Sequence, residues 1–140
     1  MINKNDENVL IEAQKMFVLN NGMPPIIFMA IKDKPDLVIE NLDMDTYEST
    51  IMCIEKIKRM IESEELREFI LILDNEDPKG DWVLIVIKAS AKQELQFICN
   101  INYEDGEYKF SKWTYHDGTN LKATKNSFNN LFGQVYCKYN

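Results

Sequence analysis

The sequence predicts an α+β domain, in which three helices pack on a mainly antiparallel sheet of five to six strands, in the order α-β-β-α-β-β-β-β-α. Runs of apolar residues rich in Ile and Val occur at 26–31, 69–73 and 82–88, and Pro, Gly or Asp bounds them. Such runs are typical of strands that are buried on both faces. Short polar turns separate several of the extended segments, which favours hairpins and an antiparallel sheet. We expect the three runs to lie side by side as inner strands.

The first predicted helix covers residues 6–20, and a proline pair follows it. Its apolar side chains recur at helical intervals, at Val9, Leu10, Ala13, Met16 and Phe17. This spacing puts them on one face. Asn20-Asn21-Gly22 supplies a helix stop, since glycine adopts the left-handed conformation readily. The strand at 26–31 then turns through 33–36 into an extended segment at 37–39, which predicts a hairpin.

The second predicted helix begins near Asp45 and runs to about Glu64. The residues predicted to face the sheet are Tyr47, Ile51, Ile54, Ile57 and Ile61. Asp45 followed three residues later by Glu48 fits a capping box, with an acid in place of the usual Ser or Thr.

The second half of the chain predicts a meander followed by a helix. Strands at 69–73, 82–88 and 95–101 lead into Asp105-Gly106, a hairpin signal. In the next strand the apolar phase changes between Phe110 and Trp113, which indicates either a bulge or a strand whose two halves face different layers. A turn is predicted at 116–120, and a last helix follows caps at 125–127. Its apolar residues are Phe128, Leu131, Phe132, Val135 and Tyr136.

This order of elements is similar to that of profilin-like and roadblock-like domains, which also run helix, hairpin, helix, meander and helix. The resemblance rests on element order and implies a fold only. Residues 1–140 contain no internal repeat and no linker, so we expect one domain.

Composition predicts a cytoplasmic protein without a membrane segment. No apolar run approaches the roughly 20 residues that cross a bilayer, and the N-terminus lacks the pattern of a signal peptide. Cys53, Cys99 and Cys137 form no CxxC motif, which excludes a zinc site built on neighbouring ligands. We expect these cysteines to fill the core as free thiols.

The formal net charge is −7, and it is unevenly distributed. Residues 1–108 hold 22 acidic and 11 basic residues, whereas 109–140 hold five lysines and one acid, Asp117. Affinity for nucleic acids comes chiefly from basic groups that neutralise phosphates. Direct binding of DNA or RNA is therefore not expected.

The sequence lacks the common catalytic motifs. Its five glycines never cluster into a phosphate-binding loop, and no GxSxG motif is present. The single histidine, His116, lies in a predicted turn, and its neighbour Asp117 is too close in sequence to orient it as in a triad. We expect no cofactor and a non-catalytic protein, with an enzyme as the open alternative.

The candidate site is the acidic loop between the strands at 69–73 and 82–88. Its acids are Asp74, Glu76, Asp77 and Asp81. One interpretation is a surface that binds a protein partner, with Trp113 and Tyr115 as aromatic anchors if they are exposed. The alternative is a site for Mg²⁺ or Ca²⁺ on the same four acids, although Pro78 breaks the spacing of an EF-hand.

The sequence thus favours a protein-interaction or regulatory domain with an acidic face. The expected partner is a protein with a basic surface or a second copy of this chain. A small inhibitor of the phage or mobile-element type, whose acids imitate nucleic acid, is one form of this hypothesis. The alternative is a divalent-metal-dependent enzyme or ligand-binding domain that uses the loop at 74–81.

Overall fold

Seven antiparallel strands form one sheet in the computed structural model, which describes residues 2–117 and 127–136. The spatial order is β2-β1-β3-β4-β5-β6, and β7 also pairs with β5. The elements are α1 (Lys4–Asn20), β1 (Ile26–Ile31), β2 (Val38–Asn41), α2 (Tyr47–Glu62), β3 (Leu66–Glu76), β4 (Trp82–Ser90), β5 (Glu94–Glu104), β6 (Glu107–Phe110), β7 (Thr114–Asp117) and α3 (Leu131–Tyr136). The predicted α+β class is confirmed, and β1, β3 and β4 are neighbours as expected.

The strand count exceeds the predicted five to six because the stretch with the phase change forms two strands. β6 pairs with the end of β5, where Phe110 lies opposite Ile101. β7 pairs with the beginning of β5, where Thr114 lies opposite Ile98. Between them Ser111 donates its backbone N–H to the Asn100 carbonyl, and its hydroxyl accepts the Asn100 N–H. The interruption therefore takes the place of the bulge, one of the two predicted alternatives, and both alternatives had assumed a single strand where the structure has two.

The predicted turn at 116–120 is wrong at its first two residues. His116 and Asp117 belong to β7, where they pair with Gln96 and Leu95. The rest of that predicted turn lies outside the described residues.

The two faces of the sheet carry separate apolar clusters, because alternate residues of a strand point to opposite faces. One cluster joins α1 to the sheet, with Leu10, Ala13 and Phe17 against Ile72, Leu84, Val86, Phe97, Cys99 and Ile101. The other joins α2 and α3 to the opposite face, with Ile54, Ile57, Ile61, Leu131 and Phe132 against Ile27, Phe69, Leu71 and Ile87. Of the described helices, α1 thus covers one face, and α2 and α3 share the other.

The helix termini differ from the predicted ones in detail. α1 begins two residues earlier than predicted, since the Asn3 side chain accepts the Asp6 N–H at 2.8 Å. The capping box of α2 is made by Thr46 and Ser49 rather than by Asp45 and Glu48, because the Thr46 and Ser49 hydroxyls each accept the other residue's N–H. The helix therefore starts at Tyr47, whose side chain is exposed and not part of the predicted inner face.

The last helix is short, and α3 begins at Leu131 rather than near Ser127. Two residues of the predicted cap, Lys125 and Asn126, lie outside the described residues, as does Cys137. Within the described ranges, no helix combines the length and the apolar character needed to cross a membrane.

Candidate partner-binding site

The antiparallel register brings two acidic turns together at one end of the sheet. β4 lies between β3 and β5, so the β3–β4 turn at 77–81 and the β5–β6 turn at 105–106 are neighbours. Asp105 and Gly106 both have positive φ, at 52° and 79°, as a tight two-residue hairpin turn requires. The predicted Asp-Gly hairpin is confirmed, and it places a second group of acids beside the predicted acidic loop.

We call the surface formed by these two turns and the adjoining strand ends the acidic end. Its acids are Glu76, Asp77, Asp81, Glu104, Asp105 and Glu107. The basic residues in the same stretches are Lys79 and Lys109. Among the described residues, the salt bridge found here joins Lys109 Nζ to Glu107 Oε2 at 3.1 Å. The acidic end therefore carries a clear excess of negative charge.

Two further features of the structure strengthen this negative potential. Glu104 and Glu107 are paired directly opposite each other across β5 and β6, an arrangement of like charges that costs stability. α1 also ends nearby, without a basic residue in its last turn, so its partial negative charge is not offset from within the helix.

Asp77 shapes the β3–β4 turn rather than presenting a free carboxylate. Its Oδ1 accepts the backbone N–H groups of Lys79, at 2.9 Å, and of Asp81, at 2.8 Å. Its own N–H donates to the Asp81 carbonyl at 2.7 Å. The exposed acids of this turn are therefore Glu76 and Asp81.

Asp74 has a structural contact as well, because it fixes the segment that leaves α1. Its Oδ2 accepts the backbone N–H of Met23 at 2.6 Å. Burial raises the pKa of Asp74 above its usual value, and the hydrogen bond from Met23 partly opposes that shift. Gly22 passes close to this carboxylate in a conformation, φ 151°, that residues with a side chain rarely adopt.

The structure does not assemble the four acids of the predicted loop into a metal centre. In the described part of the chain, no group of three or more His, Cys, Asp or Glu side chains is arranged to hold an ion. Asp74 and Asp77 are engaged by backbone donors, and no observation favours the metal alternative.

The predicted aromatic anchors lie away from the acidic end. Trp113 is partly buried against the cluster under α1. Tyr115 is 42 % exposed, and its ring stacks on Phe97 with 5.8 Å between the centroids. Tyr115 pairs with Phe97 in the first half of β5 and Trp113 directly precedes β7, whereas the β5–β6 turn lies at the far end of β5. The structure therefore does not bring them together with Asp74, Glu76, Asp77 and Asp81.

Other aromatic residues lie at the acidic end, where they line an open cavity of about 330 Å³. We call it the aromatic concavity, and its lining residues are Phe17, Asn21, Gly22, Trp82, Ile101, Tyr103 and Tyr108. The Tyr108 ring meets Phe17 edge to face at 5.0 Å and Tyr103 at 4.9 Å. Trp82 is 45 % exposed and Tyr103 is 66 % exposed.

Sequence reasoning did not assign Trp82 and Tyr103 to the site, although a signal was present. Trp82 directly follows the first acidic turn, and Tyr103 directly precedes Glu104 and Asp105. An aromatic residue next to each acidic turn becomes a shared site only when the two hairpins are neighbours. The predicted meander implied that order of strands, but it did not show that both rings line one concavity with Phe17 of α1.

A larger cavity of about 540 Å³ lies along α2. Its lining mixes Asp43 and Glu55 with Lys56 and Arg59, and it contains no aromatic side chain. Lys56 forms a salt bridge with Glu40 at 3.0 Å. Its charges are of both signs, so this cavity is less selective for a charged ligand than the acidic end.

His116 belongs to a polar network on the face of the sheet opposite the aromatic concavity. Its Nε2 lies 3.1 Å from Gln96 Oε1, and Gln96 Nε2 donates to the buried Glu94 carboxylate at 2.8 Å. Both Glu94 oxygens accept the backbone N–H of Asn130 at 3.0 Å. Burial raises the pKa of Glu94, against hydrogen bonds from Gln96 and Asn130. This network ties the segment before α3 to β5, which is a structural task.

Two of the three cysteines are described, and both are free thiols. Cys99 is buried under α1, and burial raises its pKa to about 11. Cys53 is half-buried in α2, and its thiol contacts the Asp43 carbonyl at 3.3 Å. The expectation of a core filler is confirmed for Cys99.

No protein-family model, curated protein or solved structure matches this chain. The similarity of element order to profilin-like and roadblock-like domains is therefore not supported by a structural match. Any functional assignment has to come from the surface of the molecule itself.

Proposed function

We propose that this protein is a non-catalytic interaction domain whose acidic end binds a basic surface of a protein partner. The observation that carries the proposal is the juxtaposition of the two acidic turns at 77–81 and 105–106 beside an open aromatic cavity. A concentrated charge of one sign accelerates and orients the encounter with a surface of opposite sign. Exposed Trp and Tyr residues supply the apolar contact area typical of interface centres.

The unfavourable pairing of Glu104 with Glu107 also supports the proposal. Like charges placed directly opposite each other on neighbouring strands are destabilising. Lys109 Nζ, 3.1 Å from Glu107 Oε2, offsets part of this repulsion, and a basic partner that contacts both carboxylates removes the rest. The charge arrangement is therefore costly in the free protein and favourable in a complex.

The test compares two variants that remove the same number of charges from opposite ends of the sheet. The acidic-end variant is E76Q/D81N/E104Q/D105N, and the matched control is D33N/D36N/E64Q/E65Q. The acidic-end set contains one residue with positive φ, Asp105, and the control set contains two, Asp33 and Glu64. Asp105 and Asp33 are replaced by Asn, which tolerates this conformation. Neither set includes Asp74 or Asp77, which hold the local backbone.

Each protein is immobilised, exposed to extract of the source cell, and washed at increasing salt, and the retained proteins are quantified by mass spectrometry. We expect a basic protein that is retained by the wild type and the control but lost by the acidic-end variant. Its purified form should bind more weakly as salt rises, because screening weakens exposed charge pairs. Equal retention by both variants, or loss of the partner only from the control, would contradict the proposal.

The same variants test a second copy of this chain as the partner. Sedimentation of the wild type across a range of concentrations reports self-association directly. We expect a monomer, because two copies of a strongly acidic surface repel each other. A dimer that persists in the acidic-end variant would place the interface elsewhere, for example at the edge strand β2.

We further propose a cytoplasmic location for the interaction. The free thiols of Cys53 and Cys99 support this, since reducing compartments keep cysteines unpaired. Fractionation of the source cell tests the location, and recovery of the protein outside the cytoplasm contradicts it.

A further inference from the structure

We propose that the aromatic concavity receives an arginine side chain of the basic partner. This inference rests on the proposed function and specifies how the acidic end recognises its ligand. The guanidinium would stack on the Trp82 ring and face the carboxylate of Glu76. The site would therefore recognise the partner through one inserted arginine as well as through the partner's overall charge.

The cavity has the lining that a cation requires. Three aromatic rings with exposed edges or faces, Trp82, Tyr103 and Tyr108, contribute to its wall. A cation over such a ring is attracted by the negative face of the π system. None of the described residues that line the concavity carries a charge of either sign, so no basic side chain in this part of its wall competes with the ligand.

The strand register places one carboxylate beside the Trp82 ring. Glu76 is paired directly opposite Trp82 across β3 and β4, whereas Glu104, next to Tyr103 on β5, points to the other face of the sheet. The side chains of paired residues lie on the same face of a sheet, with Cβ atoms about 5 Å apart. A cation on Trp82 therefore lies within reach of Glu76.

The size and the chemistry favour arginine over other ligands. A volume of about 330 Å³ lies at the lower limit of the roughly 300–1,000 Å³ of ligand pockets, which suits one side chain. The planar guanidinium stacks on aromatic faces and bonds a carboxylate with two donors, whereas the lysine ammonium is a compact and strongly hydrated charge. An uncharged side chain would leave the carboxylate of Glu76, opposite Trp82, without a counter-charge.

The experiment uses an acetylated and amidated octapeptide that alternates glycine with arginine. Two matched peptides carry lysine or the neutral isostere citrulline in place of arginine. Binding to the isotope-labelled full chain is followed by nuclear magnetic resonance, in which the indole N–H signals of Trp82 and Trp113 serve as reporter and internal control. We expect the arginine peptide to shift the Trp82 signal and to leave that of Trp113 unchanged.

The variants are Trp82→Leu and Tyr103→Leu, with Tyr47→Leu as the control for loss of an exposed ring. Tyr47 is 74 % exposed and lies at the start of α2, outside the concavity. Removing the cation–π contact should lower the affinity for the arginine peptide by about 5- to 30-fold, and the affinity for the lysine peptide by less. Tyr103 is mostly exposed, so its replacement tests the site even if Trp82→Leu impairs folding.

The outcomes separate this inference from the proposed function. If the arginine peptide binds the acidic-end variant weakly but binds Trp82→Leu and Tyr103→Leu as tightly as the wild type, the function stands and the arginine pocket is refuted. Equal affinity for the lysine peptide, or binding of the citrulline peptide, also overturns the assignment to arginine. No binding of any peptide by the wild type refutes the pocket, whereas the capture experiment decides the function independently.

Discussion

Asp74 offers the sharpest test of how the acidic end is held together, because it has a defined partner in the segment after α1. We consider two substitutions, Asp74→Ala and Asp74→Asn. Met23 is 4 % exposed, and its backbone N–H donates to the Asp74 carboxylate at 2.6 Å. Alanine removes the acceptor and leaves this N–H unpaired in a buried position. Asparagine keeps an acceptor oxygen in the same place.

The expected magnitudes follow from that difference. A buried donor left without a partner costs about 1–3 kcal/mol, so Asp74→Ala should lower the free energy of unfolding by about 2 kcal/mol. For a chain of this size that corresponds to a decrease in Tm of about 4–8 °C. Asp74→Asn should cost about 1 kcal/mol or less, because the hydrogen bond persists with a neutral acceptor. Urea denaturation measures both, with an unchanged m-value as evidence of an unchanged unfolding transition.

The dependence on pH gives an independent check. Burial raises the pKa of Asp74 above its ordinary value of 3.8, so the folded chain holds this proton at a higher pH than the unfolded chain. The folded state therefore gains stability as pH falls through the raised pKa, and the gain is complete below 3.8. The free energy of unfolding of the wild type should therefore rise relative to that of Asp74→Asn as the pH is lowered from neutral to about 4.

Two results would refute this reasoning about Asp74. One is equal destabilisation by alanine and asparagine, which would show that the charge and not the hydrogen bond matters. The other is a wild type that loses stability relative to Asp74→Asn as pH falls, which would require a lowered rather than a raised pKa.

Three further predictions concern other parts of the fold. Lys88→Met leaves the buried Asp6 carboxylate without its 2.7 Å ion pair, so we expect a loss of about 3 kcal/mol, more than half of it recovered in the double variant with Asp6→Asn, in urea denaturation. Glu104→Gln relieves the repulsion from Glu107, so thermal unfolding at low salt should show a gain of about 0.2–1 kcal/mol that disappears at high salt. Cys99, with its pKa raised to about 11, should react with iodoacetamide at pH 8 only when the chain unfolds. Mass spectrometry measures the labelling in a variant whose other cysteines are replaced by serine, and rapid labelling of the folded protein would contradict the burial of Cys99.

The strands were predictable where apolar runs coincided with strong local signals. The runs at 26–31, 69–73 and 82–88 became β1, β3 and β4, and Asp105-Gly106 formed the expected turn. Prediction failed where two neighbouring residues could both cap a helix and where a distant strand determined the conformation. Thr46 and not Asp45 caps α2, because its hydroxyl and that of Ser49 each accept the other residue's backbone N–H. His116 was assigned to a turn, but its pairing with the distant Gln96 extends the strand.

The site shows a similar division. The acids of the loop at 74–81 were recognised from the sequence, but not that Asp74 and Asp77 would be engaged by backbone donors. Trp113 and Tyr115 were chosen for their residue types, whereas Trp82 and Tyr103 lie at the acidic end. Residue type alone does not distinguish these pairs, since it does not show which end of the sheet each residue occupies.

The sequence by itself determined the local elements of this protein, its excess of acidic residues and its lack of common catalytic motifs. Each of these depends on residues that are close together in the chain. The predicted meander already placed β4 between β3 and β5, whereas the tertiary structure alone decided that Trp82 and Tyr103 line one concavity with Phe17 of α1. Which face of the sheet α1 covers is an outcome of contacts between residues that are distant in the chain.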